Sequence, residues 1–250
     1  MKKMYRVVVV MMVAAVALLA LSMPVQASKM DNRIESSAKK SYVFKHYLKD
    51  DDVKIQSTDG AVTLTGTVSE ESHKSLARET VASLSGVKSV DNKLEVKGDR
   101  PAEDSDAWLT TKVKTMLLFH RNVSAMTEVN TKDGIVTLRG EAISQAQKDL
   151  TTEYAKDVEG IKDVNNEMTM AKGSKKKQTV GEKIDDASIT ALVKMTLLSH
   201  RSTSALNTSV TTKDGVVTLT GKAKNAAKKD LAGKLANDVN GVKSVTNQMT

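Results

Sequence analysis

The 250-residue chain contains no cysteine, two prolines and seven aromatic side chains. Without cysteine it has no disulfide scaffold, no thiolate zinc site, no cysteine nucleophile and no lipid anchor on an N-terminal cysteine. So few aromatics argue against a base-stacking surface or a large aromatic ligand pocket. The longest apolar run, residues 7–21, holds fifteen residues. At 1.5 Å per residue it reaches roughly 22 Å, short of the ~30 Å hydrocarbon core of a bilayer. The chain also lacks a G-x-S-x-G elbow, a phosphate-binding loop, an EF-hand and a zinc-ligand pattern, so no catalytic residue, cofactor or metal is expected and the protein reads as a non-enzyme.

What stands at the start is an address. Lys2, Lys3 and Arg6 precede the apolar run, and Val25-Gln26-Ala27 places small residues at the −3 and −1 positions of a cleavage point. Residues 1–27 therefore read as a secretory signal cut after Ala27. Removing 27 of 250 residues leaves 223 and, with three basic side chains gone, lowers the net charge from +8 to +5. Export to a bacterial periplasm weakens any nucleic-acid reading, and no nucleic-acid partner is expected. An exported chain without disulfides must rely on packed cores.

The rest is one unit written three times. Asp-Gly recurs at Asp59-Gly60, Asp133-Gly134 and Asp214-Gly215. A second glycine follows at Gly66, Gly140 and Gly221, a third at Gly86, Gly160 and Gly241, and an asparagine at Asn92, Asn166 and Asn247, each at constant spacing. The units span 28–98, 103–172 and 182–250, with a basic linker, GSKKKQTVG, at 173–181.

Each unit reads as helix, strand, strand, helix, strand. Asp106 and Asp185-Asp186 cap the first helix, which carries Leu109, Val113, Met116 and Leu117 at helical spacing. The Asp-Gly pair supplies the positive φ of a tight hairpin. The second strand alternates strictly (Val62, Leu64, Gly66, Val68 in the first unit), and its buried-face glycine either admits a helix backbone or marks a bulge. The second helix repeats apolar positions such as Leu76, Thr80 and Leu84, and is expected to stop at Gly86, Gly160 and Gly241 as left-handed cap residues. The fold class is α+β: three tandem αββαβ domains, each a three-stranded mixed sheet with two helices on one face. At about 65 residues a unit is near the lower limit for a self-sufficient core.

The G-x-V-x-L-x-G strand and the closing G-V-x-x-V-x-N-x-[LM] resemble the BON domain, in three copies covering nearly the whole mature chain. The resemblance implies a periplasmic, osmotically inducible or outer-membrane-associated protein that binds phospholipid surfaces or assists envelope proteins, without catalytic residues. What it transfers to this chain is framework, chiefly the nine glycines named above. The first unit departs in its first helix, where Lys39, Lys40, Tyr42, Phe44 and Tyr47 replace a Leu-Leu pattern.

Charge separates the copies. Residues 28–98 carry +1, residues 99–172 carry −3 and residues 173–250 carry +7. The candidate contacts to anionic phospholipid headgroups are accordingly Lys175, Lys176, Lys177, His200, Arg201, Lys222, Lys224, Lys228, Lys229 and Lys234. The recurring His120-Arg121 and His200-Arg201 pairs have two readings: cations beside a helix C-terminus, or an anion-contacting patch. The leading functional expectation is peripheral binding of anionic phospholipid in support of envelope integrity or osmotic stress. The alternative is a periplasmic chaperone or scaffold holding envelope proteins at a sheet edge or apolar groove.

Overall fold

The computed structural model describes residues 25–98, 102–123, 127–171, 183–204 and 207–250. The leader up to residue 24 and the linker 173–181 lie outside the described residues, while Val25, Gln26 and Ala27 form the first turn of a helix. Unit one comprises α1 (Val25–Lys40), α2 (Tyr42–His46), β1 (Asp52–Thr58), β2 (Ala61–Val68), α3 (Glu71–Ala82) and β3 (Ser89–Val96). Unit two comprises α4 (Asp106–Phe119), β4 (Glu128–Lys132), β5 (Ile135–Arg139), β6 (Glu141–Ala142), α5 (Gln145–Lys156), β7 (Asp163–Asn166) and β8 (Thr169–Met170). Unit three comprises α6 (Asp186–Ser199), β9 (Asn207–Lys213), β10 (Val216–Lys222), α7 (Ala226–Asn237) and β11 (Ser244–Asn247).

The fold is α+β, built from three small mixed sheets ordered β1-β2-β3, β4-β5-β7 and β9-β10-β11. In each, the Asp-Gly hairpin makes an antiparallel pair, and the crossover helix returns the chain parallel to the central strand. Val62, Leu64 and Val68 are buried on the helix-covered face of β2, whereas Ala61 and Thr65 are exposed. In unit two the central strand is interrupted at Gly140, and β6 continues as a separate parallel pair with β8.

Two devices in the template become physical here. An aspartate of each first helix (Asp31 in the second turn of α1, Asp106 and Asp186 as the first residues of α4 and α6) grips the hairpin turn, its two oxygens accepting the N–H groups of Asp59 and Gly60, Asp133 and Gly134, or Asp214 and Gly215 at 2.7–3.0 Å. The template asparagine ties the last strand to the second helix. Asn92, Asn166 and Asn247 donate from Nδ2 to the carbonyls of Lys74, Lys148 and Lys229, and accept the N–H of Leu94, Met168 and Met249.

The glycines divide the work differently from the expectation. The second helices close earlier, at Ala82, Lys156 and Asn237, with Ser83, Asp157 and Asp238 as right-handed caps. The template glycine follows in the next turn, left-handed at φ +93°, +93° and +86°. It is here that a helix comes close: a Cβ on Gly160 would lie 2.7 Å from Leu109, and one on Gly241 would crowd Ile184 and Ile189. The strand glycine instead accommodates its neighbouring strand. A Cβ on Gly66 would lie 2.0 Å from the Asp52 carbonyl oxygen, and one on Gly221 would lie 1.9 Å from that of Asn207.

The third unit's first helix organises the molecule. In α6, Ala187, Ser188, Ile189, Thr190, Ala191, Leu192, Val193, Met195, Thr196 and Leu197 are all buried, leaving it no solvated face of any width. A helix apolar all round is a core helix, and units one and two both pack on it, through α3 and α4 respectively. The odd sequence of the first unit serves this docking. Ser41 breaks the helix and caps α2, and the Tyr42 and Val43 N–H groups then donate to Asp185 Oδ2 at 2.7 Å and Ser188 Oγ at 3.1 Å. Lys194 of α6 pairs with the buried Glu79 of α3 at 3.1 Å. Between units one and two, Tyr47 packs edge-on against Phe119, with ring centroids 5.8 Å apart.

Candidate functional site

The basic side chains proposed from sequence separate into three groups. Lys222, Lys224 and Lys234 are exposed on unit three, around the end of β10 and along α7. Lys228 and Lys229 are half-buried, and Lys228 is committed locally, its Nζ donating to the Ser202 carbonyl at 2.7 Å. Lys175, Lys176 and Lys177 lie outside the described residues. The exposed lysines flank the N-terminus of α7 and its last turn and share no narrow stripe, so they form a diffuse positive surface with no built pocket.

His200 must be withdrawn from that surface. Its side chain is 1% exposed, and His120 is equally interior at 0%. Neither histidine is a solvated cation at a helix end. They meet at the junction of units two and three, with Nε2 to Nε2 at 3.0 Å. Each Nδ1 faces an aspartate of the opposite unit: His120 to Asp238 Oδ2 at 3.1 Å, and His200 to Asp157 Oδ2 at 3.0 Å. The backbone repeats the exchange, as the Arg121 N–H donates to the Asp238 carbonyl and the Arg201 N–H to that of Asp157. Such reciprocity is the pattern of a twofold-like interface, here within one chain.

The two halves are not identical. Asp238 Oδ2 also accepts the Tyr154 hydroxyl at 2.7 Å, and that ring stacks on His120 at 3.9 Å. Asn122 donates to its other oxygen. Asp157 Oδ1 accepts both the N–H and the hydroxyl of Ser202. Burial pushes the His120 pKa below the ordinary histidine value despite the Asp238 carboxylate. For Asp157 burial works the other way, but hydrogen bonds from His200 and Ser202 outweigh it and hold the carboxyl below the usual range. Arg121 reaches the carbonyls of Asn237, Val239 and Val242, whereas Arg201 is exposed and reaches that of Lys156.

Sequence reading singled out the histidines and missed their partners. The signal was present: Asp157 and Asp238 each stand three residues before a template glycine, where unit one has Ser83. His-Arg and the Asp-Val-x-Gly turn therefore occur together in units two and three.

A second feature, apart from the histidine centre, is a groove of about 500 Å³ lined by residues of all three units. Trp108, Val96, Met195 and Leu198 give it an apolar floor, with Glu70 and Lys112 at its edge. The Lys112 ammonium lies 4.3 Å from the Trp108 ring centroid, and burial lowers its pKa against the opposing pull of Glu159, Asp104 and Glu103. No helix among the described residues is long and apolar enough to cross a membrane.

The chain is 32% identical over 198 residues to osmotically-inducible protein Y of Escherichia coli strain K12, an alignment covering 79% of this chain and 96% of that protein. Among solved structures it is similar to the C-terminal domain of CdsD, a structural protein of the type III secretion system of Chlamydia trachomatis. That match has 18% identity and a TM-score of 0.23, covering 86% of this chain and 93% of the other. A second CdsD structure gives 20% identity and a TM-score of 0.24, covering 82% and 88%. The BON domain model matches residues 30–98, 105–172 and 185–250. With the three-stranded sheets, hairpin clamps and glycine turns each present three times, this chain belongs to the BON domain family, as three tandem copies.

Proposed function

We propose that the protein is an exported, non-enzymatic periplasmic component of the osmotic stress response that binds anionic phospholipid surfaces peripherally through its third domain. The observation that carries this reading is charge placement: residues 173–250 hold 13 basic and 6 acidic side chains, and Lys222, Lys224 and Lys234 of that domain are exposed. Each basic residue held near an anionic leaflet contributes about 1 kcal/mol, and the attraction decays within a Debye length. Three exposed lysines and the linker cluster are then sufficient for reversible, salt-sensitive attachment without insertion of a helix. The leader supports the periplasmic assignment, and similarity to a protein named for osmotic induction supports the stress assignment.

Flotation of the mature chain with vesicles tests it. Recovery with phosphatidylglycerol-containing vesicles at low salt, lost in high salt and absent with neutral vesicles, is expected. Equal recovery on both vesicle types contradicts the proposal.

A second reading, an envelope chaperone or scaffold, rests on the acidic second domain, where Ile135, Ile143 and Met170 are exposed large apolar side chains. It predicts suppressed aggregation of unfolded outer-membrane proteins regardless of lipid, and an Ile143→Ser, Met170→Ser variant that loses this effect.

A further inference from the structure

We infer that the second and third domains are latched by a single proton shared between His120 and His200, so that their junction is a hinge that opens in acid. The number of hydrogens along the line fixes its charge. Three short gaps run in line, Asp238 Oδ2 to His120 Nδ1, His120 Nε2 to His200 Nε2, and His200 Nδ1 to Asp157 Oδ2, at 3.1, 3.0 and 3.0 Å. Each gap separates two electronegative atoms and needs one hydrogen. Two neutral imidazoles supply two. The third makes one ring an imidazolium, and the line of two carboxylates and two rings carries one net negative charge.

Either change in that count breaks the line. Loss of the shared proton leaves two Nε2 lone pairs facing each other at 3.0 Å; gain of another leaves two N–H groups facing. The rings are buried, so water cannot take up the lost bond without the domains parting. Acid opens the junction because the parted rings, free to titrate like ordinary histidines, take up a second proton for which the buried line has no place.

The other groups facing the pair are the Tyr154 hydroxyl, Asn122, Ser202 and the two arginines. Arg121 and Arg201 are spent on carbonyls at the opposite domain's turn. The remaining charged side chains near it on α5 and α7, Glu153, Lys156 and Lys234, are exposed. A metal ion is a poorer occupant than a proton: among the described residues no third histidine, cysteine, aspartate or glutamate completes a ligand group, and both carboxylates are bonded to the far ring nitrogens. The first domain carries Ser83 where the others carry Asp157 and Asp238, so the latch belongs to the second and third domains. Opening it uncovers the strand-like contacts of His120 with Val239 and of Val158 with His200, both valines fully buried in the closed form.

Trp108 is the sole tryptophan and lines the groove with Met195 and Leu198 of the third domain. Its fluorescence therefore reports whether the second and third domains stay together. Titrating the mature chain from about pH 7.5 to about pH 5, across the ordinary histidine value, is expected to shift Trp108 emission to the red reversibly, with far-UV circular dichroism unchanged. Below about pH 6.5 the parted rings together hold more than the one proton of the closed line, so the opening constant rises as pH falls, approaching about tenfold per pH unit. A His120→Phe, His200→Leu variant is expected to lose the transition. Ring ¹⁵N spectra of the unaltered chain near neutrality should show both Nδ1 atoms protonated and one hydrogen shared by the two Nε2 atoms, which decides the matter even if the variant does not fold. The inference is overturned by a pH-indifferent Trp108, by the same transition in the double variant, by two rings titrating independently, or by stoichiometric Zn²⁺ binding at both Nε2 atoms.

Discussion

Replacing Leu192 by alanine should loosen all three domains together. Leu192 is fully buried in α6, the helix on which domains one and two both pack. A buried Leu→Ala change costs about 2–5 kcal/mol, with the higher values where the surroundings cannot collapse into the space. Because α6 is held between helices of the other two domains, its surroundings are taken to collapse poorly, and about 3–4 kcal/mol is expected. With an m-value of about 3 kcal/mol/M in urea, the upper end for small proteins, the midpoint falls by about 1 M. The assay is urea unfolding followed by two probes: Trp108, which lies in domain two, and far-UV circular dichroism, which reports every domain. Both transitions should move by the same amount and remain superimposed. Leu64→Ala, in the core of the first sheet, provides a comparison within one domain. An unmoved Trp108 transition beside an early partial loss of dichroism would refute the idea that α6 couples the domains.

Other consequences follow from single contacts. Gly66→Ala should cost more than 3 kcal/mol, because its Cβ meets the Asp52 carbonyl oxygen at 2.0 Å, whereas Gly98→Ala, left-handed at +77° but in open space, should cost only about 1–2 kcal/mol. Thermal unfolding of the pair measures the contrast. Asp186→Ala removes both acceptors of the third hairpin turn and should cost about 2–3 kcal/mol, with the loss seen first as faster amide exchange at Asp214 and Gly215. Stability should decline in acid in two stages. The folded-state pKa of His120 is depressed, so its contribution is complete above about pH 6.5 and is lost as pH falls below that value. The depressed Asp157 carboxyl has the same sign and is lost below about pH 4. Unfolding midpoints measured between about pH 6.5 and about pH 3 check the sign; a midpoint rising as the pH falls across that range contradicts it.

The elements were legible in the sequence because they follow local rules: alternation in Val62, Leu64 and Val68, helical spacing in Leu109, Val113 and Met116, and Asp-Gly turns. The roles of the glycines were only half legible. Which neighbour approaches Gly66 or Gly160 depends on strand register and helix placement, and neither is encoded in spacing along one chain. The arrangement of domains was not legible at all, although α6 carried a hint. Its run of apolar and small residues has almost no polar face, which is inconsistent with the outer helix of an isolated unit. The His120–His200 centre was hidden for a different reason. Its four principal residues come from two domains, and the bonded partners stand 43, 80 and 118 residues apart along the chain. A histidine at a helix end therefore reads as a surface cation until tertiary contacts bury it.

The central functional claim is that the third domain's exposed lysines hold the protein on anionic membranes. The most direct measurement is the vesicle partition coefficient of the mature chain compared with that of a Lys222→Glu, Lys224→Glu, Lys234→Glu variant, using phosphatidylglycerol vesicles at low salt. All three side chains are exposed, so the variant should fold as the parent does. At about 1 kcal/mol per basic residue, losing three contacts weakens partition by at least about 100-fold, and reversing the charges weakens it further. Partition unchanged by the triple reversal would contradict the account.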